Sequence, residues 1–193
     1  MDETRLIRGV QEGDRNAFRL LVEKYQSMVV NTCWGIIHNR EDAEDVAQDV
    51  FVEVFRNAAK FRGDAKISTW LYRIATNRSL NFIRNNKRRR LVQSLEEAFT
   101  GGRNRNNEIS DSQSDQPDHP VHEAERADLL YKAIDHLPEK QRVAFILNKY
   151  EELPYQQIAE IMDVSLASVE SLIHRAKLNL QNELLACYKK KCI

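Results

Sequence analysis

The sequence predicts an all-α chain made of two small helical domains joined by a flexible linker. Three observations carry that prediction. Gly 6 and Pro 4 in 193 residues are too few for a turn-rich β fold. Apolar residues recur at helical spacing, three and four apart, on both sides of a polar middle. The middle, residues 91–122, holds Gly101-Gly102, an Asn/Arg mixture and the run from Ser110 to Pro120. With few large apolar side chains it buries too little surface to offset the entropy lost on ordering. As a coil its ends lie roughly 30 Å apart. The predicted domains are therefore residues 1–90 and 123–193, with 91–122 between them.

The first domain reads as four helices. Leu6, Ile7 and Val10 suit a short helix that ends at Gly13, and Asp14 is placed to cap the next. Phe18, Leu21, Val22, Tyr25, Val29, Cys33 and Ile36 give that second helix one apolar face, with a stop near Asn39. A third helix begins near Glu41 and runs to about Lys60. Ala43, Val46, Ala47, Val50, Val54 and Phe55 form its buried side. The stretch Phe61-Arg62-Gly63-Asp64 breaks the pattern. Ser68 then reads as the cap of a fourth helix reaching about Lys87.

The second domain also reads as four helices. Ala127, Leu130, Tyr131 and Ile134 share a face, Pro138 suits the start of a helix through Tyr150, and Pro154 starts another that runs to Met162. A longer helix follows from about Ala167 to the region of Ala186. In the segment from Tyr155 to Lys177, two helices must cross closely, and Ala159 is small enough for the contact. Four residues on, Asp163 tolerates the left-handed backbone of a tight turn. Val164 tucks beneath the turn, Ser165 caps the next helix, and Val169 and Ile173 face inward. This is the pattern of a helix-turn-helix. Its outer face offers Ser168, Ser171, His174 and Arg175, with Lys177 beyond, to a DNA groove. An ordinary antiparallel helix pair has the same small crossing residue, so the pattern alone leaves both readings standing.

Formal net charge is zero, but the first half is polarised. Asp42, Asp45, Asp49 and Glu53 recur three or four apart, with Gln48 beside them. Such a ridge is a solvated face, a docking surface for a basic partner, or a metal site. Hard cations want converging oxygens, and a single helical face makes carboxylates diverge. A Mg²⁺-dependent nuclease is the enzyme reading of the same carboxylates, and no positioned base accompanies them. Further on, Arg73, Asn77, Asn81 and Arg84 line one helical face, extended by Lys87 to Arg90. Trp70 and Tyr72 stand near its start, beside the loop from Arg62 to Ile67. Cations hold a nucleic-acid backbone, and aromatic pockets hold unpaired bases. The competing reading makes Trp70 and Tyr72 core and the arginines plain surface.

The three cysteines, Cys33, Cys187 and Cys192, are widely placed in a chain that does not need staples, which points to a reducing compartment. No His or Cys follows Cys192 at zinc-ligand spacing. The N-terminus is charged, and no run approaches the ~20 apolar residues of a membrane span, so a cytoplasmic location is expected.

In order, three blocks resemble the extracytoplasmic-function (ECF) branch of the bacterial sigma-70 family. They are Asp42 to Phe55, Phe61 to Asn81 with its continuation to Arg90, and Leu137 to Phe145 with the helix-turn-helix after it. The resemblance implies a region 2 helical bundle and a region 4 helix-turn-helix domain. It implies that Asp42, Asp45, Gln48, Asp49 and Glu53 meet the clamp helices of the largest subunit of core RNA polymerase. It places a flipped base of the minus-ten element at the loop of Phe61, Arg62, Lys66 and Ser68, with Thr69 and Trp70 beside it. Arg73, Asn77, Asn81 and Arg84 then hold the strand. Ser168, Ser171, His174, Arg175 and Lys177 are implied to read the minus-thirty-five element, although Glu170 and Leu172 depart from the usual basic pattern. An anti-sigma factor is a further implied partner. No cofactor, metal, small-molecule substrate or enzymatic activity is expected. A stand-alone helix-turn-helix repressor remains the main rival, and it leaves the acidic ridge without a role.

Overall fold

The computed structural model describes residues 3–100 and 120–191, with side chains for 3–94 and 126–189. The described helices are α1 (Glu3–Gln11), α2 (Arg15–Ile37), α3 (Arg40–Asn57), α4 (Ile67–Thr100), α5 (Pro120–His136), α6 (Glu139–Lys149), α7 (Tyr155–Met162) and α8 (Leu166–Lys191). A single tight helical turn, Ala58–Lys60, follows α3.

The punctuation is local chemistry. The Asp14 carboxylate accepts from the Asn16 amide at 2.8 Å and starts α2. His38 turns left-handed (φ 59°), and its amide reaches the Trp34 carbonyl at 2.8 Å, which ends α2. Asn39 Oδ1 at once accepts from the Asp42 amide at 3.0 Å and starts α3.

Helices α1 to α4 enclose one core, centred on Leu21, Val29, Cys33, Val50, Val54 and Leu71. Fully burying an aliphatic side chain of this kind stabilises by about 1.5–3 kcal/mol. Phe55 differs from the expectation. It lies one turn beyond Phe51, where the 3.6-residue repeat has drifted off the buried stripe. It is 45 % exposed and packs edge-on against Phe18 with ring centres 5.0 Å apart, while Phe51 is buried.

Helix α4 corrects the sequence reading at both ends. It begins at Ile67, where the Trp70 amide bonds the Lys66 carbonyl at 3.2 Å, so Ser68 lies inside the first turn and is not the cap. It continues to Thr100, ten residues into the predicted linker. Neither Gly nor Pro occurs between Ile67 and Thr100. Low apolar content predicts a linker there, yet nothing in the stretch interrupts a helix. At the other side α5 starts at Pro120, within the same predicted linker; residues 101–119 lie outside the described residues.

Helices α5 to α8 enclose a second core around Ile134, Leu137, Ile146, Leu147, Ile158, Val169 and Ile173. That core also takes in Ile36 of α2 and Tyr72 of α4. The two modules are therefore not held only by their connection. Helix α2 packs on α6, and α4 packs on α7. Gly35 makes the first contact close, because a Cβ there would stand 3.0 Å from Ile146 Cγ2.

Candidate nucleic-acid interface

The loop after α3 forms a pocket of about 180 Å³ lined by Lys60, Phe61, Arg62, Asp64, Trp70 and Arg73. Phe61 and Trp70 stack with ring centres 5.0 Å apart, tilted by 36°. Gly63 has φ +80°, which a side chain would strain. Gln11 of α1 pins the loop: its amide donates to the Ala58 carbonyl at 3.1 Å and the Phe61 carbonyl at 2.9 Å. Sequence reasoning missed Gln11, because no local signal ties residue 11 to residue 61. Arg62, which lines the pocket, is exposed, and so is Lys66 just before α4. An aromatic floor under cations suits an unpaired base on a phosphate backbone.

A groove of about 520 Å³ continues from this pocket along α4, walled by Trp70, Arg73, Asn77, Arg78 and Asn81. Trp70 and Arg73 line both spaces, so pocket and groove form one track. Asn77 and Asn81 are exposed there, and Ser68 is half-buried near the start of the helix. Two predicted residues are placed differently. Thr69 is sealed in the core, with no exposed surface, and offers nothing to a ligand. Glu53 turns toward α4, lines the groove and pairs with Arg78. It stays on the flank of the ridge, one helical turn beyond Asp49, and its carboxylate leans across to Arg78.

On that ridge, Asp45, Gln48 and Asp49 are exposed and Asp42 is half-buried. Val52 and Phe55, each 45 % exposed, continue the same face. The ridge is thus mixed acidic and apolar, a composition suited to protein docking. Reading the acids alone missed its apolar half. Among the described residues no three His, Cys, Asp or Glu groups converge on a point where a metal ion would sit.

The second module carries the helix-turn-helix. Asp163 is left-handed (φ 53°), and the Val164 amide bonds the Ala159 carbonyl at 3.1 Å, closing the turn. Ser165 Oγ accepts from the Ser168 amide at 3.2 Å and caps α8. Ala159, Val169 and Ile173 are buried at the crossing, as the spacing predicts. His174, Arg175 and Lys177 are exposed on the outer face, and Ser171 is half-buried. The Ser168 hydroxyl is exposed but shares a hydrogen bond of 2.8 Å with Ser165, so a base contact competes with capping.

Two arginines of α4, Arg73 in the groove and Arg84 beyond it, are occupied by the second module. Arg73 Nε donates to the Glu160 carbonyl at 3.1 Å, and a second guanidinium nitrogen donates to the same oxygen. Arg84 holds both carboxylate oxygens of Glu139, with Nε to Oε1 at 2.7 Å. The bond from Arg84 holds the Glu139 carboxyl below its usual range. Nearby, Tyr72 Oη donates to Glu151 Oε2 at 2.9 Å, and burial pushes both groups' pKa values up.

The chain is similar to known proteins across both modules. The sigma-70 region 2 family matches residues 21–89, and the sigma-70 region 4 family matches residues 127–180. The ECF RNA polymerase sigma-E factor of Haemophilus influenzae is 34 % identical over 184 residues, covering 93 % of each chain. Two solved folds are similar. One is CnrH in complex with the cytosolic domain of CnrY, with a TM-score of 0.65, 19 % identity and coverage of 95 % of this chain and 97 % of that one. The other is the sigma factor RpoE from Bartonella quintana bound to the anti-sigma factor NepR, with a TM-score of 0.58, 22 % identity and coverage of 86 % and 96 %. With region 2 and region 4 in order along one chain, and a curated relative matched over nearly its full length, this protein belongs to the ECF sigma factors of the sigma-70 family.

Proposed function

We infer that this chain binds core RNA polymerase and directs promoter-specific initiation of transcription. The observation that carries the reading is the continuous track on α4. An aromatic pocket opens into a groove of cations and amides, in the same chain as a helix-turn-helix with an open outer face. The pocket takes an unpaired minus-ten base, and Asn77, Asn81 and the arginines hold the strand. The outer face of α8 takes the minus-thirty-five element. The ridge of Asp42, Asp45, Gln48 and Asp49, with Val52 and Phe55, docks on the clamp helices of polymerase. The polymerase supplies the chemistry, so the chain itself needs no catalytic group. Two modest DNA contacts on one molecule become specific because the first raises the effective concentration of the second.

No described helix is long and apolar enough to cross a membrane. The proposed site of action is the cytoplasm, where polymerase works. An anti-sigma factor is the proposed regulator, by likeness to the Bartonella complex. In vitro transcription on a promoter library tests the function: core polymerase with this protein starts at a defined subset of sites. Starts indistinguishable from those of core polymerase alone would refute it.

A further inference from the structure

A cavity of about 300 Å³, walled by residues of both modules, shares no residue with the pocket and groove of α4. Its cations are Lys87 and Arg90 of α4 and Arg142 of α6, and its acids are Asp42 and Asp135. Ile37, Phe82 and Ile83 supply an apolar wall. Arg142 sets this cavity apart from a solvated surface. Its side chain is 4 % exposed, and its Nε has no hydrogen-bond partner. One guanidinium nitrogen lies 3.3 Å from Asp135 Oδ1, and another donates to the Asp135 carbonyl. Burial lowers the Arg142 pKa, against Asp135 and Glu139, which favour the charged form. Buried cations are normally fully paired, and this one is short of compensation. His38 repeats the pattern beside it. Its side chain is 6 % exposed, its Nδ1 lies 3.2 Å from the same Asp135 oxygen, and its Nε2 has no partner. Lys87 and Arg90 stand one helical turn apart on the same side of α4 and are exposed. Among the described residues neither has an ion pair.

We propose that this cavity binds a nucleoside monophosphate: Lys87, Arg90 and Arg142 hold the phosphate, Phe82 and its aliphatic neighbours seat the base, and Asp42 limits the charge that fits. Three cations face two carboxylates, and Asp135 is shared between Arg142 and His38. An anion of small charge balances that wall, whereas a triphosphate brings more charge than the wall offsets and meets Asp42. A base presents a flat apolar face to Phe82, which a bare phosphate lacks. A volume of about 300 Å³ is at the small end of ligand sites, which suits one nucleotide rather than a dinucleotide. The site goes beyond the promoter-directing role and does not rest on it. Because α2 and α4 build it together with α5 and α6, occupancy and the contact between the modules stabilise each other.

Isothermal titration calorimetry of the full-length protein with AMP, GMP, CMP and UMP tests the site, with inorganic phosphate, the matching nucleosides and ATP as comparisons. At least one monophosphate should bind with a Kd below about 1 mM. It should bind at least about tenfold more tightly than inorganic phosphate, the matching nucleoside or ATP. Arg90→Ala should weaken that binding about tenfold. Arg89→Ala makes the same charge change one residue along α4, outside the cavity lining, and should match wild type. Asp42→Asn should act with the opposite sign and tighten binding several-fold. Circular dichroism checks that each variant keeps wild-type helicity, and both arginines are exposed, so either can be removed without opening a core. The bound monophosphate should raise the thermal midpoint of wild type and leave that of Arg90→Ala nearly unchanged. Failure of all four monophosphates to bind below about 1 mM overturns the proposal. So does equal weakening by Arg89→Ala, which would reduce the effect to the general charge of α4. Inorganic phosphate bound as tightly as the nucleotides overturns the base seat, and an Asp42→Asn variant that binds no tighter overturns the charge limit. Transcription on core polymerase is a separate readout, so a failed promoter reading leaves the nucleotide site standing and the reverse.

Discussion

Arg175 is the cation best placed to meet the upstream element. It is exposed on α8, one residue from buried Ala176 and two from buried Ile173, so its backbone is fixed while its head is free. Among the described residues it has no ion pair to break before binding DNA. Arg175→Ala should weaken binding of the minus-thirty-five element by about 1–3 kcal/mol if it reads a base edge. A phosphate contact would instead lower affinity evenly across sequences and reduce the salt slope by about one. Titrations at two salt concentrations separate these outcomes, and unchanged affinity at both would remove Arg175 from the interface. Cys33 illustrates the opposite environment. It is buried, and desolvation pushes its thiol up to about 11. The thiolate is the reactive form. Cys33 should therefore resist alkylation at pH 8 in native protein and react once urea unfolds the chain, with half-buried Cys187 modified first. Mass spectrometry of the alkylated peptides reads this directly, and rapid native labelling of Cys33 would contradict its burial.

At the scale of the element, α3 is the clearest division of labour. One face packs Val46, Ala47, Val50 and Val54 into the core, and the opposite face presents Asp45, Gln48, Asp49, Val52 and Phe55. The double reversal Asp45→Lys/Asp49→Lys touches only the second face. It should leave the helical circular dichroism and melting midpoint close to wild type while abolishing capture of core polymerase in a pull-down. Normal capture would remove the ridge from the docking surface. The turn of the helix-turn-helix gives a second element-level test. Asp163 holds φ 53°, a conformation that costs a side chain roughly 1–2 kcal/mol, offset in part by the greater freedom glycine has when unfolded. Asp163→Gly should raise the thermal midpoint by about 2–4 °C; a lower midpoint would mean that the Asp163 side chain contributes more than its backbone costs. Both elements were legible in the sequence because their signals are local: apolar spacing for α3, and Ala159, Asp163 and Ser165 at fixed offsets for the turn. Thr69 faces the core because a step of one residue from Ser68 or Trp70 rotates a helical side chain by about 100°, whereas Glu53 keeps the ridge's spacing and is drawn aside only by its pairing with Arg78. Neighbouring residues in a motif can therefore face core and solvent.

For the whole molecule, the sequence signals ran out where contacts become non-local. Gly35, Ile36, Tyr72 and Glu139 each have an adequate local explanation, and only the assembled structure shows them meeting across the seam between modules. Two carboxyls on that seam have pKa values displaced in opposite directions, which gives the closure of one module on the other a distinctive pH response. Burial raises the Glu151 pKa, against the hydrogen bonds from Tyr72 and Thr32 that lower it. Its charged form thus opposes closure near neutrality, and that penalty fades as pH falls through its folded value toward the ordinary 4.5. Glu139 has the reverse sign. Its pKa is lowered by Arg84, so its contribution is present above 4.5 and is lost as pH falls below that value through its folded one. Closure should therefore tighten from neutral into mildly acidic solution and loosen again below about pH 4.5. The radius of gyration, measured by scattering at fixed salt, should pass through a minimum between those limits. Glu151→Gln should flatten the mildly acidic limb and leave the strongly acidic one. Glu139→Gln should enlarge the radius near neutrality and erase the strongly acidic limb. A radius that changes in one direction only, or limbs that survive both substitutions, would show that other charges govern the contact between the modules.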